Sequence, residues 1–156
     1  MRASGLLLLL AMAASLGLSC GGESSESRQE VNRQEIQAAL EVYLPLLGEA
    51  YATGDLAPLA PYAAEKEIST IRKRIEDLAV QGRTLVATFR SLTIEDVNVW
   101  NYSNAFVSTS EIWDLVVYAT GSDQVLAEEF EQSSRVKYQL KRDEDGWRVL
   151  YRGIQE

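Results

Sequence analysis

Histidine is absent from the 156-residue chain, and cysteine occurs once, at Cys20. Without histidine, the chain lacks the side chain that most often serves as a general base or binds transition metals. A single cysteine cannot form an internal disulfide, so the core alone must stabilise the fold. We therefore expect no metal and no cofactor, and a binding protein is a better expectation than an enzyme.

Basic residues are scarce as well, with 15 Lys and Arg against 23 Asp and Glu and a formal net charge of -8. Proteins bind nucleic acids and anionic lipid headgroups by neutralising phosphates with Lys and Arg. The composition therefore predicts no nucleic-acid partner. The chain length suits one folded domain.

The N-terminus carries the chain's long apolar run, at residues 6–18, preceded by Met1 and Arg2. This order is typical of a signal peptide, and the run is shorter than the ~20 residues of a membrane-spanning helix. The sequence "LGLSC" that ends at Cys20 resembles the lipobox of bacterial lipoproteins. The resemblance implies cleavage before Cys20, acylation of that residue, and attachment to a lipid bilayer. An ordinary signal peptide and a buried core cysteine remain the alternatives.

The residue after the lipobox cysteine influences sorting in enterobacterial lipoproteins, where aspartate retains the protein at the inner membrane. Gly21 stands at that position. The resemblance therefore implies a location in the cell envelope, at the outer membrane and facing the periplasm. The chain is divided into a signal peptide at residues 1–19, a lipidated cysteine with a flexible polar tether at residues 20–32, and a domain at residues 33–156.

Three helices are predicted in the first half of the domain. Apolar residues at helical spacing predict a helix over residues 32–53, which Pro45 should kink or divide. A short second helix is predicted within residues 53–67, where Gly54 and two prolines interrupt the pattern. The third begins near Ile68 and ends at Gly82.

Four strands are predicted after Gly82, where the apolar period changes from helical spacing to two. They cover residues 84–100, residues 105–119, part of residues 128–142, and residues 147–154. The sequence therefore predicts an α+β fold with about three N-terminal helices packed on one side of a curved four-stranded antiparallel sheet.

The last hairpin has an Asp-Gly turn signal at Asp145 and Gly146. A turn centred on these residues predicts that Leu140 faces Tyr151. It also places the basic residues of both strands, Arg152 among them, on the solvated face.

The order of elements, with "SSRVKYQLKRDEDGWRVLYRGI" at residues 133–154, resembles the nuclear-transport-factor-2-like superfamily, which includes ketosteroid-isomerase-like domains. The pattern "Y-x-L-x-R … D-G-W-R-V" is also similar to the domain of that type in bacterial and plastid division proteins. The resemblance implies a cone-shaped domain with a pocket at its open end, and a homodimer formed through the sheet. Because this fold carries both enzymes and binding modules, it does not fix a function.

The candidate ligand-binding residues are aromatic side chains around one carboxylate: Tyr51, Trp113, Asp114, Tyr118, Tyr138 and Tyr151. A carboxylate buried among aromatic rings would have a raised pKa and could act as an acid or base. Alternation along the strand does not decide whether Asp114 faces the pocket or the solvent. Aromatic side chains on a sheet more often belong to the core or its rim than to a ligand platform.

Two functions from different classes remain open. The first is a non-catalytic envelope lipoprotein that binds a partner protein or a small apolar ligand. The second is a small isomerase or hydro-lyase of the ketosteroid-isomerase kind, with Asp114 as the base. No catalytic residue is assigned by motif, because the sequence lacks the complete side-chain set of the superfamily's known enzymes.

Overall fold

The computed structural model of the protein describes residues 25–155. The predicted signal peptide, Cys20 and the first part of the predicted tether lie outside the described residues. Within the described part, no helix is long and apolar enough to cross a membrane.

Two α-helices precede the sheet: α1, Ser25–Thr53, and α2, Glu65–Val80. The segment predicted as a short second helix contains only a 3₁₀ turn, Ala57–Leu59, so the prediction of three helices is wrong by one. Pro58 lies in that turn and Pro61 follows it, and proline disrupts the hydrogen bonding of a longer helix. The turn nevertheless places Leu59 fully in the core.

Helix α1 is longer than predicted, because it begins at Ser25 rather than near residue 32. Residues 25–32, predicted as part of a flexible tether, are therefore helical. Two contacts explain the difference: Asn32 is buried, and Arg33 donates a hydrogen bond to the backbone oxygen of Ile94 in the sheet. Pro45 lies inside α1 without dividing it, and its neighbours Leu44 and Leu47 are buried against the core.

The four strands are β1 (Arg83–Trp100), β2 (Asn104–Ala119), β3 (Val125–Asp143) and β4 (Gly146–Gln155). They pair in chain order and every pair is antiparallel. Both helices contact β1 and β4, so one face of the sheet and the helices enclose the core. The α+β class and the four-stranded antiparallel sheet are confirmed.

The register of the last hairpin differs from the prediction. The turn is centred on residues 144–145, so that Leu140 faces Val149 rather than Tyr151. A β-bulge then separates Val149 from Tyr151, which faces Gln139. Because one extra residue reverses the inward and outward positions, the bulge turns Arg152 into the core and Tyr151 towards solvent.

Candidate functional site

An open pocket of about 410 Å³ lies between the two helices and the inner face of the sheet. Its walls are mainly apolar, with Leu47 from α1, Leu78 from α2, Leu85 from β1 and Leu115 from β2. These positions arise because inward residues alternate along each strand and recur every three or four residues along each helix. The size and lining are typical of small-molecule sites.

The floor of the pocket is formed by Trp113 and Arg152. The Arg152 guanidinium lies 6.0 Å from the centroid of the Trp113 ring. Its Nη2 donates to Glu111 Oε2 at 2.6 Å, and its Nε donates to the Tyr138 hydroxyl at 3.1 Å. The charge at the floor is therefore already paired within the protein.

Glu111 is the centre of this network and is completely buried. Its carboxylate accepts hydrogen bonds from Trp113 Nε1 at 2.8 Å, from Thr109 Oγ1 at 3.3 Å, and from the Tyr138 hydroxyl. With the Arg152 bond, four side chains satisfy it, as a buried carboxylate requires. Burial raises the pKa of Tyr138 well above its ordinary value, so the phenol remains a donor.

A second buried carboxylate joins the helices to the same region. Glu67 of α2 accepts a hydrogen bond from the Tyr43 hydroxyl of α1 at 3.2 Å and from the backbone N–H of Arg152 at 3.2 Å. Burial raises the pKa of the Glu67 carboxyl above its ordinary value. This residue fixes α1, α2 and β4 together, since each contributes one group to the contact.

The predicted site residues are divided by the structure. Tyr51 and Trp113 line the pocket. Tyr138 is buried behind the floor, where it bonds Glu111. Tyr118 lines a separate shallow depression at the far end of β2, and Tyr151 is half exposed on the outer face.

Asp114 does not line the pocket, although its neighbours Trp113 and Leu115 do. Arg90 Nε donates to Asp114 Oδ2 at 2.7 Å, and the Glu131 backbone N–H donates to Oδ1 at 2.9 Å. The hydrogen bonds from Arg90 and Glu131 hold the pKa of Asp114 below its ordinary value. A base in the pocket would have to line it and would have a raised pKa. Asp114 does not line the pocket and its pKa is lowered, so the structure does not support Asp114 as the base.

The position of Asp114 is set by irregular pairing on both sides of β2. Arg90 is the extra residue where β1 is out of register with β2, between Phe89 and Ser91. Opposite Asp114, β3 is also out of register, and Glu131 has a positive φ of 53°. The carboxylate therefore stabilises two bulges.

Sequence reasoning missed Glu111, Arg152 and Glu67 as site residues. A usable signal existed for Glu111, because it alternates in phase with the inward residues Val107 and Trp113. No comparable signal existed for Arg152, whose inward direction depends on the bulge in β4.

The pocket lining also includes charged side chains. Its charged rim residues, Arg74 and Asp77, lie on α2, and the Arg152 charge at the floor is neutralised by Glu111. Within residues 25–155, no cluster of His, Cys, Asp or Glu is arranged to hold a metal ion.

Comparison with known proteins places this architecture in a family. Residues 46–150, more than half of the chain, match the sequence profile of the ARC6-like IMS domain. None of the curated protein sequences matches the chain. The matched region extends from the middle of α1 to β4 and contains the whole buried network except Tyr43 and Arg152.

Several solved structures share the fold. The intermembrane space region of the chloroplast protein ARC6 is 12% identical and superimposes with a TM-score of 0.67, over 78% of this chain and 94% of that chain. A periplasmic fragment of TraM is 11% identical, with a TM-score of 0.56 and coverage of 80% and 97%. A Mycobacterium tuberculosis protein of unknown function is 15% identical, with a TM-score of 0.54 and coverage of 86% and 77%.

The comparisons agree with the sequence interpretation at the level of the domain. The sequence-based likeness to a domain of plastid proteins is supported by the family profile and by the ARC6 structure. At these identities, the solved structures establish the fold alone. Since the family profile covers most of the folded domain, the chain belongs to the family of ARC6-like IMS domains.

Proposed function

We propose that the protein is a non-catalytic binding module of the bacterial cell envelope, anchored through an acylated Cys20, whose pocket holds a small apolar ligand. The observation that carries this proposal is the pocket of about 410 Å³, with apolar walls and a floor whose polar groups are satisfied internally. A pocket with mainly apolar walls, whose buried Arg152 charge is already paired with Glu111, favours retention of a molecule over its conversion.

The apolar walls set the class of ligand. Burial of apolar area contributes about 25 cal/mol per Å². Leucines of α1, α2, β1 and β2 offer such area, while β3 contributes the polar Gln132 and Ser134. The aromatic face of Trp113 adds a flat contact at the floor. A ligand with a polar end would leave that end at the rim, beside Arg74 and Asp77.

Two arguments support the envelope location. The lipobox-like sequence before Cys20 is one. The other is that similar folds occur in the intermembrane space region of ARC6 and in a periplasmic fragment of TraM, both named for envelope compartments.

A neutral fluorescent probe, N-phenyl-1-naphthylamine, tests the pocket. We expect saturable one-site binding to the mature chain, and at least tenfold weaker binding to the Ala87→Phe variant, whose new ring fills the pocket between Leu85 and Leu115. The matched control is Val86→Phe, because Val86 is next along β1 and does not line the pocket.

Circular dichroism and the urea midpoint must show that both variants fold. If Ala87→Phe does not fold, Leu115→Trp fills the same space from β2. Non-saturable binding of the probe by the wild type would contradict the proposal. Equal affinity of the wild type and the pocket-filling variants, Ala87→Phe or Leu115→Trp, would contradict it as well.

A further inference from the structure

Strands β1 and β2 are joined by a turn that carries the most exposed aromatic residue of this end of the sheet. Tyr102 is 72% exposed and Phe106, four residues later, is 54% exposed. Trp100 stacks on Phe106 with ring centroids 4.6 Å apart. We call Trp100, Tyr102 and Phe106 the aromatic tip.

The aromatic tip lies in a long stretch of the folded domain that contains no charged residue. Residues 97–110, fourteen in succession, include no Asp, Glu, Lys or Arg, although charged residues make up 24% of the sequence. The stretch is bounded by Asp96 and Glu111. A surface turn has no packing need for this composition, whereas an interface between water and lipid favours amphipathic aromatic rings without charge.

The backbone of the turn is strained where the tyrosine stands. Asn101 and Tyr102 have positive φ angles of 51° and 57°. Asn and Gly adopt this left-handed conformation readily, but a bulky side chain does so at a cost. A tyrosine at such a position, with its ring exposed to solvent, indicates that the ring contacts something other than the rest of the domain.

The aromatic tip lies beside the first turns of α1. The Arg28 guanidinium is 5.6 Å from the centroid of the Tyr102 ring. Ser25, Arg28 and Gln29 line one surface pocket together with Tyr102. The tip is therefore adjacent to the point where the described chain begins.

Cys20 precedes Ser25 by five residues. Five extended residues span at most about 18 Å. Any lipid attached to Cys20 therefore holds the start of α1, and the aromatic tip beside it, close to the bilayer surface.

We propose that the aromatic tip is a second membrane contact, in which Trp100, Tyr102 and Phe106 lie at the headgroup level of the bilayer to which Cys20 is anchored. This inference rests on the proposed anchoring. It adds an orientation: α1 starts at the membrane, and the pocket, formed by the far half of α1 with α2, opens away from it. A charge-free aromatic tip suits a neutral interface and does not require the anionic lipids that the acidic body would repel.

The test uses the single thiol of the mature chain, residues 20–156, coupled to a maleimide lipid in phosphatidylcholine vesicles. The vesicles are prepared with plain or with brominated acyl chains, which quench nearby tryptophan fluorescence. Trp113 and Trp147 are 6% and 5% exposed within the fold, so Trp100 is the tryptophan placed to report contact. We expect brominated vesicles to quench part of the wild-type tryptophan emission. This quenching should be absent in Trp100→Phe.

Two further variants separate a specific contact from general proximity. Tyr102→Ser should reduce the quenched fraction by half or more. Phe130→Ser, which changes an aromatic residue that is 61% exposed in the part of β3 beyond Asp114, should leave it unchanged. Equal emission from the wild type in plain and brominated vesicles would overturn the proposal, and so would quenching that persists in Trp100→Phe.

Chemical coupling also keeps this test independent of the proposed function. The coupling supplies the anchor whether or not the cell acylates Cys20, so a negative result removes the aromatic tip alone. Absence of acylation in the cell would instead remove the anchor and leave the vesicle result standing.

Discussion

At the scale of single residues, the pocket floor depends on one buried ion pair. Arg152 and Glu111 are both buried, and Glu111 accepts hydrogen bonds from Arg152, Trp113, Tyr138 and Thr109. Removal of one partner from a buried pair typically costs about 3–5 kcal/mol, because the other charge remains unpaired. The pair therefore shapes the floor, and replacement of either Arg152 or Glu111 alone is expected to destabilise the fold.

Asp114 gives the residue-scale prediction. Since Arg90 and the Glu131 N–H lower its pKa in the folded state, the ionised carboxylate stabilises the fold above the pKa of the unfolded chain, and this contribution disappears as the pH falls. Asp114→Asn should therefore lower the urea midpoint at pH 7, and the difference from the wild type should shrink as the pH approaches 3.

The control for Asp114 is its partner. Arg90→Gln should produce the same pH-dependent loss, and the double variant should lose less than the sum of the two, because both remove one interaction. A difference from the wild type that stays constant between pH 7 and pH 3 would show that the carboxylate does not act through its charge.

Individual residues also show how far the sequence could predict the site. Tyr51 and Trp113 line the pocket, and their role in binding a ligand stays a prediction. Tyr151 and Arg152 were predicted on the wrong faces. Alternation is reversed by a single extra residue, and the sequence does not mark where that residue is inserted.

At the scale of elements, α1 and β1 approach each other closely at Gly48. A methyl group added there would lie 2.2 Å from the backbone oxygen of Ala87, far inside van der Waals contact. The helix and the strand can meet at this distance only because the residue has no side chain.

Gly48→Ala tests this approach. Alanine favours a helix by about 1 kcal/mol over glycine, yet we expect a net destabilisation of about 1–3 kcal/mol, since the clash forces the helix away from β1. Urea unfolding measures the difference. Glu49→Ala, at the exposed neighbouring position, should change stability by less than about 0.5 kcal/mol. A Gly48→Ala protein as stable as the wild type would show that α1 can move without cost.

The helices and strands were predicted well where a regular apolar pattern extends over many residues. The four strands and α2 follow directly from alternation and helical spacing. The start of α1 was missed, because residues 25–32 are mostly polar and lack an apolar helical pattern, whereas burial of Asn32 and the bond from Arg33 to Ile94 in the sheet become visible only in the folded chain.

At the scale of the whole molecule, the buried network links parts of the chain that are far apart in sequence. Glu67 of α2 contacts Tyr43 of α1 and Arg152 of β4, and Arg152 contacts Glu111 of β2. Closing these contacts needs the complete fold. The pocket is consequently a property of the assembled domain rather than of any segment.

The anchor supplies the whole-molecule prediction. When the full chain is expressed in a bacterium, we expect a mature protein that begins at Cys20, carries acyl chains in its intact mass, and incorporates labelled palmitate. Cys20→Ser should abolish the label, because serine has no thiol for the acyl group. A mature chain without acyl mass, or one that begins at another residue, would contradict the anchor.

The sequence by itself determined the α+β class and the four antiparallel strands, because these follow from periodicities that adjacent residues impose locally. Only the tertiary structure decided the site's charges. Arg152 meets Glu111 at the floor because a bulge in β4 resets the alternation there, and Asp114 is paired away from the pocket because bulges in β1 and β3 bring Arg90 and the Glu131 N–H to it. Those bulges are placed by packing between strands, which no single stretch of sequence contains.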